Sequence, residues 1–307
     1  MKKVIISGAD GFVGSYTVRE FLKNGYRVIG ICRGGALKHL QEEENLQIVS
    51  CNVFQPEELL AGIPADEYEA FLHFAWAGSA GPARADYRLQ MDNAVGTVEC
   101  MKAAQKLGCR KFVCAGSIME YEVEAAVHTQ GSRPGMNYIY GMGKHIAHCL
   151  CKSVAADIGM DLFWPMITNA YGAGEYSPRF VNTTLRKILG GEPLQFTSAT
   201  QNYDFVYVTD VAKAFYLITT RGKPFCEYMI GSGEARPLRE FILEMQQALA
   251  PDAVPIFGDV PFTGTNMPLE TFGIEDLEKD TGFRPEVRFA EGTRLTMDWL
   301  KTLEETI

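Results

Sequence analysis

Long apolar runs are missing from this sequence, and no stretch approaches the roughly 20 apolar residues that a membrane-spanning helix needs. The first residues, Met1-Lys2-Lys3-Val4-Ile5-Ile6-Ser7-Gly8, hold three apolar residues in a row and no small-residue cleavage site, so a secretory leader is not expected either. Basic charge is also scarce: 29 Lys and Arg stand against 38 Asp and Glu, a net charge of −9, which argues against a nucleic-acid partner. Paired C-x-x-C spacings are absent. The eight cysteines, at 32, 51, 100, 109, 114, 149, 151 and 226, lie mostly in apolar segments and read as buried thiols of a reducing compartment, so the expected location is cytoplasmic. His145, His148, Cys149 and Cys151 crowd one helical pattern, but core packing accounts for them better than a metal site, and no metal is expected. There is no internal repeat and no low-complexity tail.

What is present is material for a large core: 307 residues, 47% of them hydrophobic and 22% charged, enough for one big domain or two intimate ones. The first half alternates short β-branched runs (Val4–Ile6, Val28–Ile31, Gln47–Val49, Ala70–Phe74, Lys111–Cys114) with helical patterns at Phe12–Lys23, Pro56–Ala61, Tyr87–Leu107 and Tyr140–Asp157. That alternation predicts an α/β fold, a doubly wound parallel sheet of the Rossmann type. After Leu162–Ile167, Gly/Pro-rich turns separate shorter elements before a last helix near Glu291–Leu303, which predicts a smaller α/β substrate-binding lobe at the C-terminal side. The expected division is a dinucleotide-binding domain over 1–167, with a return near 203–225, and a lobe made of 168–202 and 226–307.

Directly after the first strand comes G-A-D-G-F-V-G, placing Gly8, Gly11, Phe12, Val13 and Gly14 where a turn opens a helix. Residues without side chains let backbone N–H groups and the positive helix end approach a pyrophosphate. At the end of the second strand, where an acidic residue would hold the adenosine ribose of NAD, the sequence has Cys32 followed by Arg33. A guanidinium there suits the 2′-phosphate of NADP, so NADP is placed ahead of NAD; a solvated surface arginine is the plain alternative. Asn52 and Val53 are placed to meet adenine, and Phe74 and Ala75, in H-F-A-W, to run beside the cofactor.

Tyr140-Gly141-Met142-Gly143-Lys144 puts a phenol and an ammonium one helical turn apart on one face. The ammonium favours phenolate, so Tyr140 can exchange a proton with a carbinol while Lys144 also holds the nicotinamide ribose. An exposed helical pair is the bland alternative. The strand ending at Cys114 runs into A-G-S-I-M-E-Y and brings Ser117 to the sheet's carboxyl edge, where its hydroxyl can meet a sugar oxygen; a lone serine there can also be a cap or turn residue.

The glycine turn, H-F-A, Asn93 in D-N-A-V-G-T, Ser117, Y-G-M-G-K and N-A-Y-G at 169–172 follow one another as in the extended short-chain dehydrogenases, and the chain resembles the NAD-dependent epimerase/dehydratase family over nearly its whole length. Y-D-F-V-Y-V-T-D-V-A at 203–212 and the closing T-G-F-R-P…E-G-T…W resemble its later landmarks. The resemblance implies that Tyr140 is the acid/base, Lys144 its partner, Ser117 the orienting hydroxyl, Asn93 part of the cofactor site and Asn169 an anchor near a diphosphate. It also implies a homodimer through the long helices 87–107 and 140–157.

Departures from the family pattern narrow the chemistry. Family dehydratases carry Asp-Glu directly after the Ser/Thr; Ile118 and Met119 stand there and cannot move protons. Glu120, one place later, either lines the sugar pocket or fixes the loop. Met166 and Tyr203 take positions where the family usually has arginines, leaving Arg179, Arg236 or Arg294 to meet the diphosphate. The expected activity is therefore hydride transfer on an activated, nucleotide-linked hexose, with 4-keto sugar reduction ahead of 4-epimerisation. A non-catalytic dinucleotide sensor on the same fold is the alternative of another kind, and the Ser117, Tyr140 and Lys144 set argues against it.

Overall fold

A computed structural model describes residues 1–34 and 36–304. Strands β1 (Lys3–Ser7), β2 (Arg27–Cys32), β3 (Leu46–Ser50), β4 (Tyr68–His73) and β5 (Cys109–Cys114) join Asp161–Phe163 in one parallel sheet. Their spatial order is β3, β2, β1, β4, β5, Asp161–Phe163, so the winding reverses between β1 and β4. Such a reversal opens a crevice at the strands' carboxyl ends. Every residue of β4 is buried, and only Lys3 of β1 is not, which is why both read as continuous apolar runs; β3, an edge strand, is half-exposed.

Helices α1 (Phe12–Lys23), α2 (Pro56–Gly62), α3 (Tyr87–Lys106), α4 (Met119–His128) and α5 (Ile139–Ile158) connect these strands. Helix α3 starts where it does because the Asp86 carboxylate accepts the N–H groups of Arg88 and Leu89 at 3.0 and 3.2 Å. Helix α5 stops at Gly159, which takes the left-handed conformation with φ +70°. Helix α4 was not marked by the sequence pattern. Glu120, Glu122 and Glu124 alternate with Tyr121, Val123 and Ala125, a period of two that hides a helix. The Leu162–Ile167 run divides at Trp164-Pro165: Asp161–Phe163 stays in the main sheet, whereas Met166–Ile167 pairs with Gly116–Ser117 and Met229–Ile230 in a small parallel sheet. That small sheet carries Ser117.

Helices α6 (Phe180–Leu189), α7 (Val208–Arg221), α8 (Leu238–Leu249), α9 (Glu275–Thr281) and α10 (Phe289–Glu304) complete the chain as described. Among the described residues, two large hydrophobic cores result, with a small third cluster of Val123, Ala126 and Tyr138. The first fills the sheet and its helices and takes in Val211, Phe215 and Ile218 of α7, which packs on α1. The second, around Leu185, Phe205, Phe241, Phe289 and Leu300, belongs to the C-terminal lobe. Within the expected lobe segment 226–307, Tyr228–Ile230, Leu277 and Phe283 pack instead on the first core, because 229–230 is a strand beside Met166–Ile167 and α9 lies against α7; residues 305–307 fall outside the described chain. No described helix is long and apolar enough to cross a membrane.

Candidate active site

The crevice at the carboxyl ends of β1, β2, β4 and β5 is a cleft of about 650 Å³. Gly8, Gly11, Phe12, Val13 and Gly14 form its floor. Gly8 has φ +64°, and a Cβ there would lie 2.8 Å from the backbone nitrogen of Ala75; one on Gly14 would run into the Gly8 carbonyl. Gly11 caps α1 without a side-chain bond, so the first N–H groups of the helix open onto the cleft. A pyrophosphate fits this floor, and the residues present would hold a dinucleotide along it. Asp10 adds a negative charge beside an anion cradle, yet its carboxylate is committed: it accepts the N–H groups of Lys38, His39 and Leu40 at 2.7, 2.8 and 2.9 Å. Burial opposes its charge, but these three bonds hold the Asp10 carboxyl below its ordinary range. They draw Lys38 and His39 to the cleft wall, beside Arg33, Cys32 and Val53.

Phe74, Ala75, Ser117, Tyr140 and Lys144 also line this cleft. Tyr140 is 8% exposed; Arg84 lies over one face of its ring, Cζ 4.2 Å from the centroid, and Trp76 meets it at 6.3 Å and 80°. Lys144 donates to the Ala115 carbonyl at 2.8 Å. The Ser117 hydroxyl accepts the Met119 N–H at 3.3 Å, so it is half a turn residue while still facing the cleft.

A second cavity of about 320 Å³ adjoins the first and shares Ser79, Ala170, Glu175, Ser177 and Arg179 with it. Asn169, Arg84, Met119 and Tyr203 line it, with the first residues of α6. The Asn169 amide donates to the Asp204 carbonyl at 2.9 Å, and Arg179 pairs with Glu175 at 3.3 Å. Burial and the Arg179 charge push the Arg84 guanidinium down, while Tyr140 and Glu122 pull it back up. Burial likewise pushes the Glu122 carboxyl up to about 7, against the pull of Arg84.

Three expected residues sit elsewhere. Glu120 is 1% exposed and lines neither cavity, because its place on α4 turns it into the core. There its carboxylate accepts the Ser117 N–H at 3.0 Å and the Trp164 indole N–H at 3.1 Å and meets His148 Nδ1 at 3.1 Å. It fixes the serine loop. Asn52 and Asn93 line a neighbouring groove of about 460 Å³ rather than the main cleft. The Asn52 side-chain Oδ1 accepts the Phe54 N–H, and the buried Asn93 amide bonds both backbone groups of Ala77, at 3.0 and 2.8 Å. Of the three arginines left for a diphosphate, only Arg179 reaches the cavity; Arg236 is paired with Glu244, and Arg294 is exposed on α10. Arg84 was missed. It sits in a G-P-A-R-A-D turn that carries no signal except the following cap residue Asp86.

A family model described as the NAD dependent epimerase/dehydratase family matches residues 4–231. The chain belongs to that family. This family member is 21% identical over 325 residues to the dTDP-D-glucose 4,6-dehydratase of Mus musculus, covering 98% of this chain and 89% of that one. It is 25% identical over 228 residues to UDP-glucuronic acid decarboxylase 1 of Danio rerio, covering 68% and 52%. Among solved structures, a UDP-glucose 4-epimerase from Thermotoga maritima with UDP-glucose superposes with a TM-score of 0.81 at 19% identity, over 98% and 99% of the chains. The Bordetella bronchiseptica enzyme WbmF in complex with NAD+ gives 0.80 at 19%, over 99% and 94%. The doubly wound fold is thus common to this chain and these two structures. At the two positions after Ser117, Ile118 is buried and Met119 lines the second cavity, and neither side chain can transfer a proton.

Proposed function

We propose that this family member is an NADP(H)-dependent reductase acting at C4 of a nucleotide-linked 4-keto hexose. The observation that carries the reading is the meeting of Ser117, Tyr140 and Lys144 in the wall of the dinucleotide cleft, next to a second cavity edged by two arginines. When bound, the nicotinamide cofactor supplies the hydride for C4. Tyr140 gives its proton to the C4 oxygen as the alkoxide forms, Ser117 orients that oxygen, and Lys144 holds positive charge beside the phenol. Arg84 and Arg179, facing one cavity, suit the two charges of a diphosphate and stand in for arginines missing at 166 and 203.

Two cationic residues in the cleft wall, Arg33 and Lys38, support NADP over NAD, and the Asp10 carboxylate there is already engaged by three backbone N–H groups. A 4-epimerase is the second reading, favoured by the likeness to epimerase structures and by the NAD bound in several of the similar structures. Mass spectrometry of the ligand that co-purifies, followed by turnover of nucleoside-diphosphate 4-keto hexoses with NADPH, tests the choice. NADPH consumption with a 4-hydroxy product supports reduction; interconversion of C4 epimers with no net cofactor change refutes it.

The reading includes a homodimer in a reducing, cytoplasmic setting. Tyr87, Met91 and Val95 are exposed at one-turn spacing along α3, with Leu150 on the adjacent α5, and all eight cysteines are free thiols. Light scattering at micromolar concentration should give twice the chain mass; a monomer contradicts it.

A further inference from the structure

Trp76 directly follows H-F-A, just past the carboxyl end of β4, in the wall of the cofactor cleft. Its ring is fixed from behind. The indole N–H donates to Gln90 Oε1 at 2.7 Å, and Gln90, 1% exposed, directs its own amide to the carbonyls of Gly78 and Ala83 at 3.2 and 3.1 Å. On the cleft side, Lys144 Nζ lies 3.8 Å from the indole centroid, and the Tyr140 ring meets the indole edge-on.

Lys144 is itself 5% exposed, with one hydrogen bond, to the Ala115 carbonyl, and it forms no ion pair among the described residues. A buried ammonium without a counter-ion is costly. The indole face is the strongest aromatic partner for a cation. With one of its three N–H donors on Ala115 and the indole face against the ammonium, Lys144 keeps a donor for the cleft side.

We propose that Trp76 is the positioning residue for Lys144, its indole face standing in for a counter-ion and aiming the ammonium at the cofactor ribose and the Tyr140 phenol. This rests on the reading of Tyr140 and Lys144 as the catalytic pair. A wall residue that merely touched the cofactor would act without Lys144, and that difference is measurable.

The experiment is a double-mutant cycle on the whole protein with Trp76→Leu and Lys144→Ala, reading NADPH affinity by calorimetry. Lys144→Ala should weaken binding about tenfold and Trp76→Leu about fivefold, while the double variant should lie within about twofold of Lys144→Ala. Trp76→Phe keeps an aromatic face and should recover most of the loss; it also carries the cycle, with a smaller effect, if Trp76→Leu does not fold. An undiminished loss from either Trp76 substitution in the Lys144→Ala background overturns the proposal. Calorimetry needs no sugar, so an enzyme inactive on nucleotide-linked hexoses would refute the functional reading and leave the cycle intact. Where turnover is measurable, the alkaline limb of the reductive pH–rate profile should move upward in Trp76→Leu as in Lys144→Ala, and an unmoved limb also counts against Trp76.

Discussion

The main cleft and the second cavity, proposed for cofactor and substrate, share a wall but are built by different means. The cleft floor is backbone: glycines 8, 11 and 14 and the open end of α1. The cavity is side chains drawn from distant segments, with Arg84 from a turn after β4, Met119 from α4, Asn169 from a loop and Arg179 from the start of α6. Backbone recognition constrains residue type at fixed spacing, because a Cβ at the wrong place collides. Side-chain recognition needs only that a charge arrive from somewhere, and the same diphosphate can be met from either side of a cavity.

The sharpest break between the two regions should come at Tyr140, where they meet. Tyr140→Phe removes the proposed proton donor and leaves the packing against Trp76 and Arg84 nearly unchanged, so kcat should fall by roughly 100-fold or more with little change in cofactor affinity. Steady-state kinetics beside cofactor titration checks it, and wild-type kcat in the variant would sink the mechanism.

A comparable effect, read as stability, belongs to the cofactor half alone. His73 ends β4 fully buried, with Nδ1 2.9 Å from the Ser7 hydroxyl; burial, aided by the Lys144 charge, pushes it down to about 3. Unfolded, it takes a proton near 6.5. Between those values the unfolded chain binds more protons, so the stability present above pH 6.5 is lost as pH falls toward 3. At pH 4.5, two units below the unfolded value, the loss is about 3 kcal/mol. Urea midpoints at pH 7.5 and 4.5 should therefore differ less in His73→Gln than in the wild type, and equal differences would show that another group governs acid unfolding.

How much was legible beforehand follows the same division. The strands β1 to β5 and the helices α1, α3 and α5 could be read to within one or two residues, since parallel strands buried on both faces and long amphipathic helices leave periodic patterns. Helix α4 could not, because alternating glutamates imitate a strand. The glycine floor, Ser117, Tyr140 and Lys144 were visible because spacing on an element fixes their direction. Glu120 was visible as a candidate and not as a core residue: nothing in M-E-Y-E says that Trp164 and His148 wait behind it. Arg84 had no local signal at all.

On the substrate side, Arg84→Met and Arg179→Met should each weaken binding of a nucleoside diphosphate by about tenfold, the scale of one charge-assisted hydrogen bond, while leaving NADPH affinity within about twofold. Calorimetry with both ligands separates the regions. An equal loss for both ligands would mean that the shared wall, through Arg179, Glu175 and Ser177, is a single site and not a boundary.

The smallest effect is expected at the adenosine end, the one part of the cofactor half that side chains rather than backbone must recognise. Arg33 is exposed, as is Lys38, so each contact with a 2′-phosphate is screened by solvent and contributes no more than about 1 kcal/mol. Arg33→Ala should thus lower NADPH affinity about threefold to fivefold and leave NADH affinity unchanged, and adding Lys38→Ala should bring the two cofactors close to parity. The preference should also shrink as salt is raised, since exposed charges more than a Debye length of about 10 Å apart at 0.1 M stop reinforcing one another. Fluorescence titration of the wild type with NADPH and NADH decides the matter first: tighter NADH binding would show that Cys32 and Arg33 do not select the phosphate, and it would remove the chief support for reduction over epimerisation.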